Sequence, residues 1–101
     1  MLITRWQAPI VPRIEQIKSW FEMEGLEPQE ISITANESYQ NLRHPFDNVI
    51  MVAKGELILN IAGNKLLLRE GDKIVIPSNT KHSKEVSGEH ECVYVSAQKT
   101  Y

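Results

Sequence analysis

The hydrophobic pattern of the chain changes period once, near Pro28. Before it, Ile14, Ile17 and Phe21 recur three and four residues apart, with Trp20 and Met23 widening the stripe, which is the period of an amphipathic helix. Pro12 suits the first helical position, Glu15 falls in the first turn, and Gly25 supplies a left-handed stop. The spacing predicts one helix over residues 12–24 whose apolar stripe is a packing face. Upstream, Pro9 and Pro12 interrupt whatever the segment 2–6 forms.

After Pro28 the period is that of extended chain. Ile31 and Ile33 alternate with polar residues, and 49–53 is apolar at every position, as in a strand covered on both faces. Gly55 turns the chain, and Leu57, Leu59 and Ile61 recur at every second position. Gly63-Asn64 reads as a two-residue hairpin turn with glycine first, after which Leu66-Leu67-Leu68 returns. Glu70-Gly71-Asp72 turns again, 73–76 runs up to Pro77, and two strands follow at 82–86 and 92–97, joined through Ser87-Gly88. Short strands at this spacing predict a sandwich or barrel. No repeat or linker divides the chain, so one domain is expected over 1–101, with an arm and helix in 1–28 and a barrel in 29–101. The two apolar faces of 49–53 need a helix, another strand layer or a second copy over them. A homodimer is expected on that ground.

Composition adds exclusions. The net charge is -2 and Lys and Arg are scattered, so no basic face for nucleic acid is expected. Cys92 is alone, which excludes an internal disulfide and suits a reducing compartment. No N-terminal apolar run has the length of a signal peptide or membrane span, so a cytoplasmic location and no membrane partner are expected. No nucleophile–base–acid arrangement, phosphate loop or nucleotide signature is present.

The candidate chemistry lies between Leu42 and His82. Gly71, Pro77 and His82 fall at the spacing G-x5-P-x-G-x2-H-x3-N, with Asn79 at the second glycine and Val86 at the asparagine. Asn79 tolerates the left-handed backbone that a tight turn needs. Counting back from Gly55 on the pattern G-x5-H-x-H-x3-4-E-x6-G places His44 at the second histidine, Leu42 at the first and Asn48 at the glutamate. These two motifs resemble those of the cupin family. The resemblance implies an all-β fold, the double-stranded β-helix or jelly-roll barrel, here preceded by one short N-terminal amphipathic helix, with a pocket inside the barrel. It also implies a metal set of three histidines and a glutamate, of which this chain keeps His44 and His82.

Two imidazoles alone hold a divalent ion such as Fe, Mn, Ni or Zn weakly. Asp47, His90 and Cys92 are the nearby substitutes, although a regular strand points Asp47 away from Asn48. Strict alternation puts Leu42, Phe46 and Ile50 on the His44 face. Lys84 lies two residues beyond His82 and is either a snorkelling residue at the barrel mouth or a pocket cation. Tyr39 and Tyr94 are candidate hydroxyls for the cavity. The expected function is binding of a small organic molecule in the pocket without a tightly held metal, as a sensing, carrying or accessory module. The alternatives are an oxygenase- or isomerase-type cupin enzyme using His44 and His82 with substitute ligands, and metal-free acid–base chemistry on a histidine. Each histidine is equally read as a hydrogen-bonded core residue. A third role, an interaction surface built on Trp20 and Phe21, depends on whether those rings are exposed.

Overall fold

A computed structural model of the chain describes residues 2–99. The elements in order are β1 (Leu2–Thr4), α1 (Ile14–Met23), β2 (Gln29–Ile33), β3 (Ser38–Leu42), β4 (Asp47–Lys54), β5 (Leu57–Ile61), β6 (Asn64–Leu68), β7 (Lys73–Ile76), β8 (His82–Val86) and β9 (Cys92–Lys99). They form a five-stranded sheet in the order β1-β7-β4-β9-β2 and a four-stranded sheet in the order β3-β8-β5-β6. The fold is the expected jelly roll, an antiparallel β-sandwich with one short helix.

Strand alternation divides the apolar residues between two cores. Ile50 and Val52 of β4, Ile74 and Ile76 of β7, Cys92 and Tyr94 of β9 and Ile33 of β2 meet Leu57, Leu59 and Ile61 of β5 and Leu68 of β6 between the sheets. The opposite faces of β4 and β9 carry Val49, Met51, Val95 and Ala97, which pack against Ile17 and Phe21 of α1. Both faces of β4 are thus buried, as the unbroken apolar run predicts, and the helix of the same chain covers the outer one. That cover accounts for the two apolar faces without a second copy. Phe21 is 1% exposed and Trp20 is half-buried with its ring 5.9 Å from that of Trp6, so both belong to the core.

Three local expectations are corrected. The helix starts later than predicted: Pro12 precedes the N-cap Arg13, whose backbone is extended, and the Arg13 N–H donates to the side chain of Gln16 at 2.9 Å. Met23 is 81% exposed and does not widen the stripe, because it lies about 200° around the helix from Phe21. The hairpin turn is Ala62-Gly63, with φ of 52° and 82°, and Ile61 pairs with Asn64 across it. Positive φ at both central residues is the primed turn that matches strand twist. The turn falls there because Leu57 and Leu59 of β5 are paired with Leu68 and Leu66 of β6.

The segment ahead of the helix forms part of the larger sheet. β1 pairs with β7, and the chain then crosses the turn before β7 so that Trp6 lies on Gly71. Gly71 has φ of 91°, and a Cβ there would stand 2.5 Å from Trp6 Cγ. Only glycine fits both the backbone and the ring. The adjoining Asp72, 3% exposed, accepts from the N–H groups of Trp6 and Arg69 and from the Arg5 guanidinium, each at 2.8–2.9 Å. Among the described residues no helix is long and apolar enough to cross a membrane.

Candidate functional site

At one end of the sandwich the interior is not filled. Register explains which side chains meet there. On β8, His82, Lys84 and Val86 pair with Ile61, Leu59 and Leu57, so all three face the interior beside buried leucine and isoleucine. On the other sheet Asn48 pairs with Gln98, Ile50 with Ser96 and Val52 with Tyr94, which puts Asn48 and Ser96 on the interior face with Tyr94. Between β3 and β4 the segment 43–46 leaves the sheet, after a register shift between Tyr39 and Leu42 in which Asn41 takes φ of 56°. This segment brings His44 and Phe46 over the opening. Its position is fixed from the other side by the tight turn at Asn79, φ 60°, whose N–H donates to the His44 carbonyl at 2.6 Å.

The resulting cavity has a volume of about 580 Å³ and is walled by Ile31, His44, Phe46, Asn48, Lys84 and Ser96, with Glu27, Gln29 and Gln98 exposed at its rim. That size suits a small organic molecule. His44 stacks on Phe46 with ring centroids 5.1 Å apart and lies 5.5 Å from the ring of His82. Its pKa is held below the usual histidine value, first by burial and then by the neighbouring His82 and Lys84 charges. Asn48 is 5% exposed and its carbonyl oxygen accepts from Ser96 Oγ at 2.8 Å.

His82 is 3% exposed and sits against His44 rather than in the cavity wall. Its Nδ1 is 2.9 Å from the Thr80 carbonyl oxygen. A carbonyl only accepts, so Nδ1 carries the proton. Among the described residues its buried Nε2 has no hydrogen-bond partner. Lys84 is not a snorkelling residue: Nζ donates to the Tyr94 hydroxyl at 2.6 Å and lies 5.2 Å from the Tyr94 ring centre and 5.7 Å from that of Tyr39. Burial lowers the Lys84 pKa, and burial first, then Cys92 and Tyr39, raises that of Tyr94, so the phenol stays protonated.

The remaining sequence candidates fall around this group. Tyr94 is fully buried behind Lys84, and Ile50 is sealed in the inner core without lining the cavity. Leu42 is half-buried opposite His82 in the β3–β8 pair. Tyr39 turns its hydroxyl to Glu37, at 2.7 Å, and reaches Lys84 only through its ring face. Ser96 and Ile31 were not among the residues the sequence singled out. The interior alternation of β9 and β2 carries them, and the weak alternation of 92–97 hides it.

The donor set does not fit the metal that the motif resemblance implies. His82 Nε2 is a bare lone pair with its tautomer fixed by a backbone carbonyl, as a metal-ligating imidazole would be. The other positions fail it. Leu42 has no donor, the Asn48 oxygen is taken by Ser96, and Lys84 places an ammonium in the same cavity. Asp47 accepts from the Ser78 N–H, Cys92 is in the inner core and His90 is exposed, so none of the substitutes arrives. Among the described residues no three His, Cys, Asp or Glu side chains gather as a metal site.

A larger groove of about 830 Å³ runs where Arg5 and Trp6 cross Arg69, Glu70 and Asp72. Two of its charges are already engaged, Asp72 with Arg5 and Glu70 with the Gly55 N–H, while Arg69 at its edge is exposed to solvent.

Comparison with known proteins agrees with the motif reading. The family model for the cupin domain matches residues 27–97. A search of curated protein sequences finds no match. Among solved structures, a cupin-2 domain containing protein from Shewanella frigidimarina aligns over 96% of this chain and 83% of its own, with 19% identity and a TM-score of 0.65. The polyketide cyclase RemF from Streptomyces resistomycificus aligns over 72% of this chain with 22% identity and a TM-score of 0.64, and the DMSP lyase DddQ from Ruegeria pomeroyi over 73% with 20% identity and a TM-score of 0.64. The chain spans 54% of the cyclase and 38% of the lyase. With the spacing of both motifs retained although several of their residues are replaced, the jelly roll formed and a family model covering residues 27–97, the chain belongs to the cupin family.

Proposed function

We propose that this cupin domain binds a small organic molecule in the cavity between its sheets, without a tightly held metal, and serves as a sensing, carrying or accessory module. The observation that carries the reading is the convergence of His44, Asn48 and Lys84 on one open space of about 580 Å³ that is also walled by Phe46 and Ile31. A few polar groups set in an apolar wall are the usual makeup of a ligand site. The donor set supports the metal-free form of the proposal, because two imidazoles beside an ammonium make a weak site for a divalent cation.

The first experiment is elemental analysis of purified, untagged protein together with an NMR screen of small organic molecules. The expected result is far less than one metal per chain and ligand-induced shifts confined to residues around His44, Asn48 and Ser96. One metal per chain, lost in the His44→Ala/His82→Ala double variant, overturns the metal-free form. A homodimer is the proposed assembly, through a surface other than the face of β4 that α1 covers, and a monomer by light scattering at micromolar concentration overturns it.

One observation favours a second reading, acid–base catalysis without metal. His44 faces the cavity with a lowered pKa and is therefore mostly neutral at pH 7, in the state that takes up a proton. A bell-shaped pH profile for any turnover, abolished by His44→Ala, would support it.

A further inference from the structure

Lys84 is a half-buried cation in the cavity wall, and among the described residues no anion stands beside it. Its β8 neighbours across the sheet are Leu59 and Tyr39, its Nζ lies near two tyrosine rings, and its one hydrogen bond goes to a neutral phenol. Among the described residues it has no carboxylate within ion-pair distance. Buried charges are normally paired, so a lysine held this way lacks a partner that something else supplies. An ammonium has three N–H donors, and Tyr94 takes one. Close by in the same cavity, the Asn48 carbonyl is occupied by Ser96, which leaves the N–H groups of its amide for whatever enters. Glu27 is the acidic residue of the lining, and it is exposed at the rim.

We propose that the ligand of this cavity is a small organic carboxylate, its anionic end held by Lys84 Nζ and the Asn48 amide and its carbon skeleton against Phe46, His44 and Ile31. The inference rests on the reading of the cavity as a binding site and adds the chemical class. A compact carboxylate offers two oxygens, enough to accept the free donors of both side chains at once. The stacked pair of Phe46 and His44 is a flat wall that suits a planar or aliphatic body, and the cavity admits a molecule of that size with its far end toward the open rim. The same lysine accounts for the failure of the site to suit a metal, since a fixed ammonium repels a divalent cation and attracts an anion.

The test is a two-dimensional NMR titration of the intact protein with matched probe pairs, benzoate against benzamide and hexanoate against hexanamide, at constant ionic strength. The expected result is that each carboxylate binds at least tenfold more tightly than its amide, with shifts at Asn48, Ser96 and His44. Lys84→Met is expected to bring the two members of each pair to within threefold of one another. Asn48→Asp, which sets an anion beside the lysine, is expected to do the same and does not depend on the fold tolerating the Lys84 change. Equal affinity for carboxylate and amide, or a preference that survives both substitutions, overturns the carboxylate assignment and leaves the cavity as a site for neutral molecules. No shift at any cavity residue with any probe at millimolar concentration overturns the cavity reading itself.

Discussion

The Lys84 ammonium on one sheet donates to the Tyr94 hydroxyl on the other at 2.6 Å, so the two halves of the sandwich are joined across their interior by one hydrogen bond. The bond is charge-assisted and shielded, which makes it stronger than a neutral pair and costly to break from one side. Tyr94→Phe is therefore expected to destabilise the protein by about 1–3 kcal/mol in urea unfolding, by leaving the ammonium without its acceptor. Removing both groups at once in Lys84→Met/Tyr94→Phe is expected to restore much of that loss, because an apolar pair of similar volume carries no desolvation cost. Additive losses in the double variant would show that the bond contributes little.

Asp72 makes stability depend on acid. Burial alone would raise its pKa, but the Arg69 and Trp6 N–H groups and the Arg5 guanidinium together hold it below the usual value. The unfolded chain returns it to about 3.9. A depressed folded-state value means that the stabilisation is fully present above the unfolded pKa and is lost as pH falls through the folded one. Chemical denaturation below pH 4 is expected to show that loss. Asp72→Asn is expected to weaken the fold by about 1–3 kcal/mol at pH 7 and to flatten the profile at low pH.

Gly71 and Gly63 both have positive φ and separate two effects of a side chain. At Gly63 nothing lies within 4 Å of a new Cβ, whereas at Gly71 the Trp6 ring is in the way. Gly63→Ala is expected to cost about 1 kcal/mol for the backbone alone, and Gly71→Ala clearly more, with a change in tryptophan fluorescence as Trp6 is displaced. Equal thermal midpoints for the two variants would contradict the packing of Trp6 on the turn.

His44 reports the charge beside it. Its pKa is lowered first by burial and then by His82 and Lys84. Removing the Lys84 charge favours the protonated imidazole, so Lys84→Met is expected to raise the His44 pKa in an NMR titration without bringing it fully to the ordinary value. An unchanged value would place Lys84 too far away to matter.

The Cys92 thiol, buried and pushed up to about 12 by its surroundings and by Glu70, is expected to resist maleimide in the native protein and to react when the chain is unfolded in urea.

How much of this was legible in the sequence depended on period and on reach. The alternation of Leu57, Leu59 and Ile61 and the unbroken run at 49–53 encode which faces are covered, and the structure repeats them. The spacing from His44 to Gly55 located one wall of the site, whereas that from Gly71 to His82 led to a histidine that sits against His44 and outside the cavity wall. β1 was not legible, because three residues between an N-terminus and a proline-rich arm carry no period, and their strand exists only through pairing with β7. The direction of Lys84 was equally hidden. A lysine side chain long enough to reach water is also long enough to cross the interior, and the choice depends on Tyr94, a residue on the opposite sheet whose own orientation has no local signal.

The strand order also bears on synthesis. β9, the last strand of the fold, lies between β4 and β2 in the larger sheet, so β2 has no partner in that sheet until Cys92–Lys99 has been made. A nascent chain leaving the ribosome holds the β5–β6 hairpin as its one contiguous two-strand unit, while the N-terminal half waits with its apolar faces uncovered. The larger sheet is then completed only after β9 has been made, and until that point the apolar β4 segment is where chaperones or misassociation would act first.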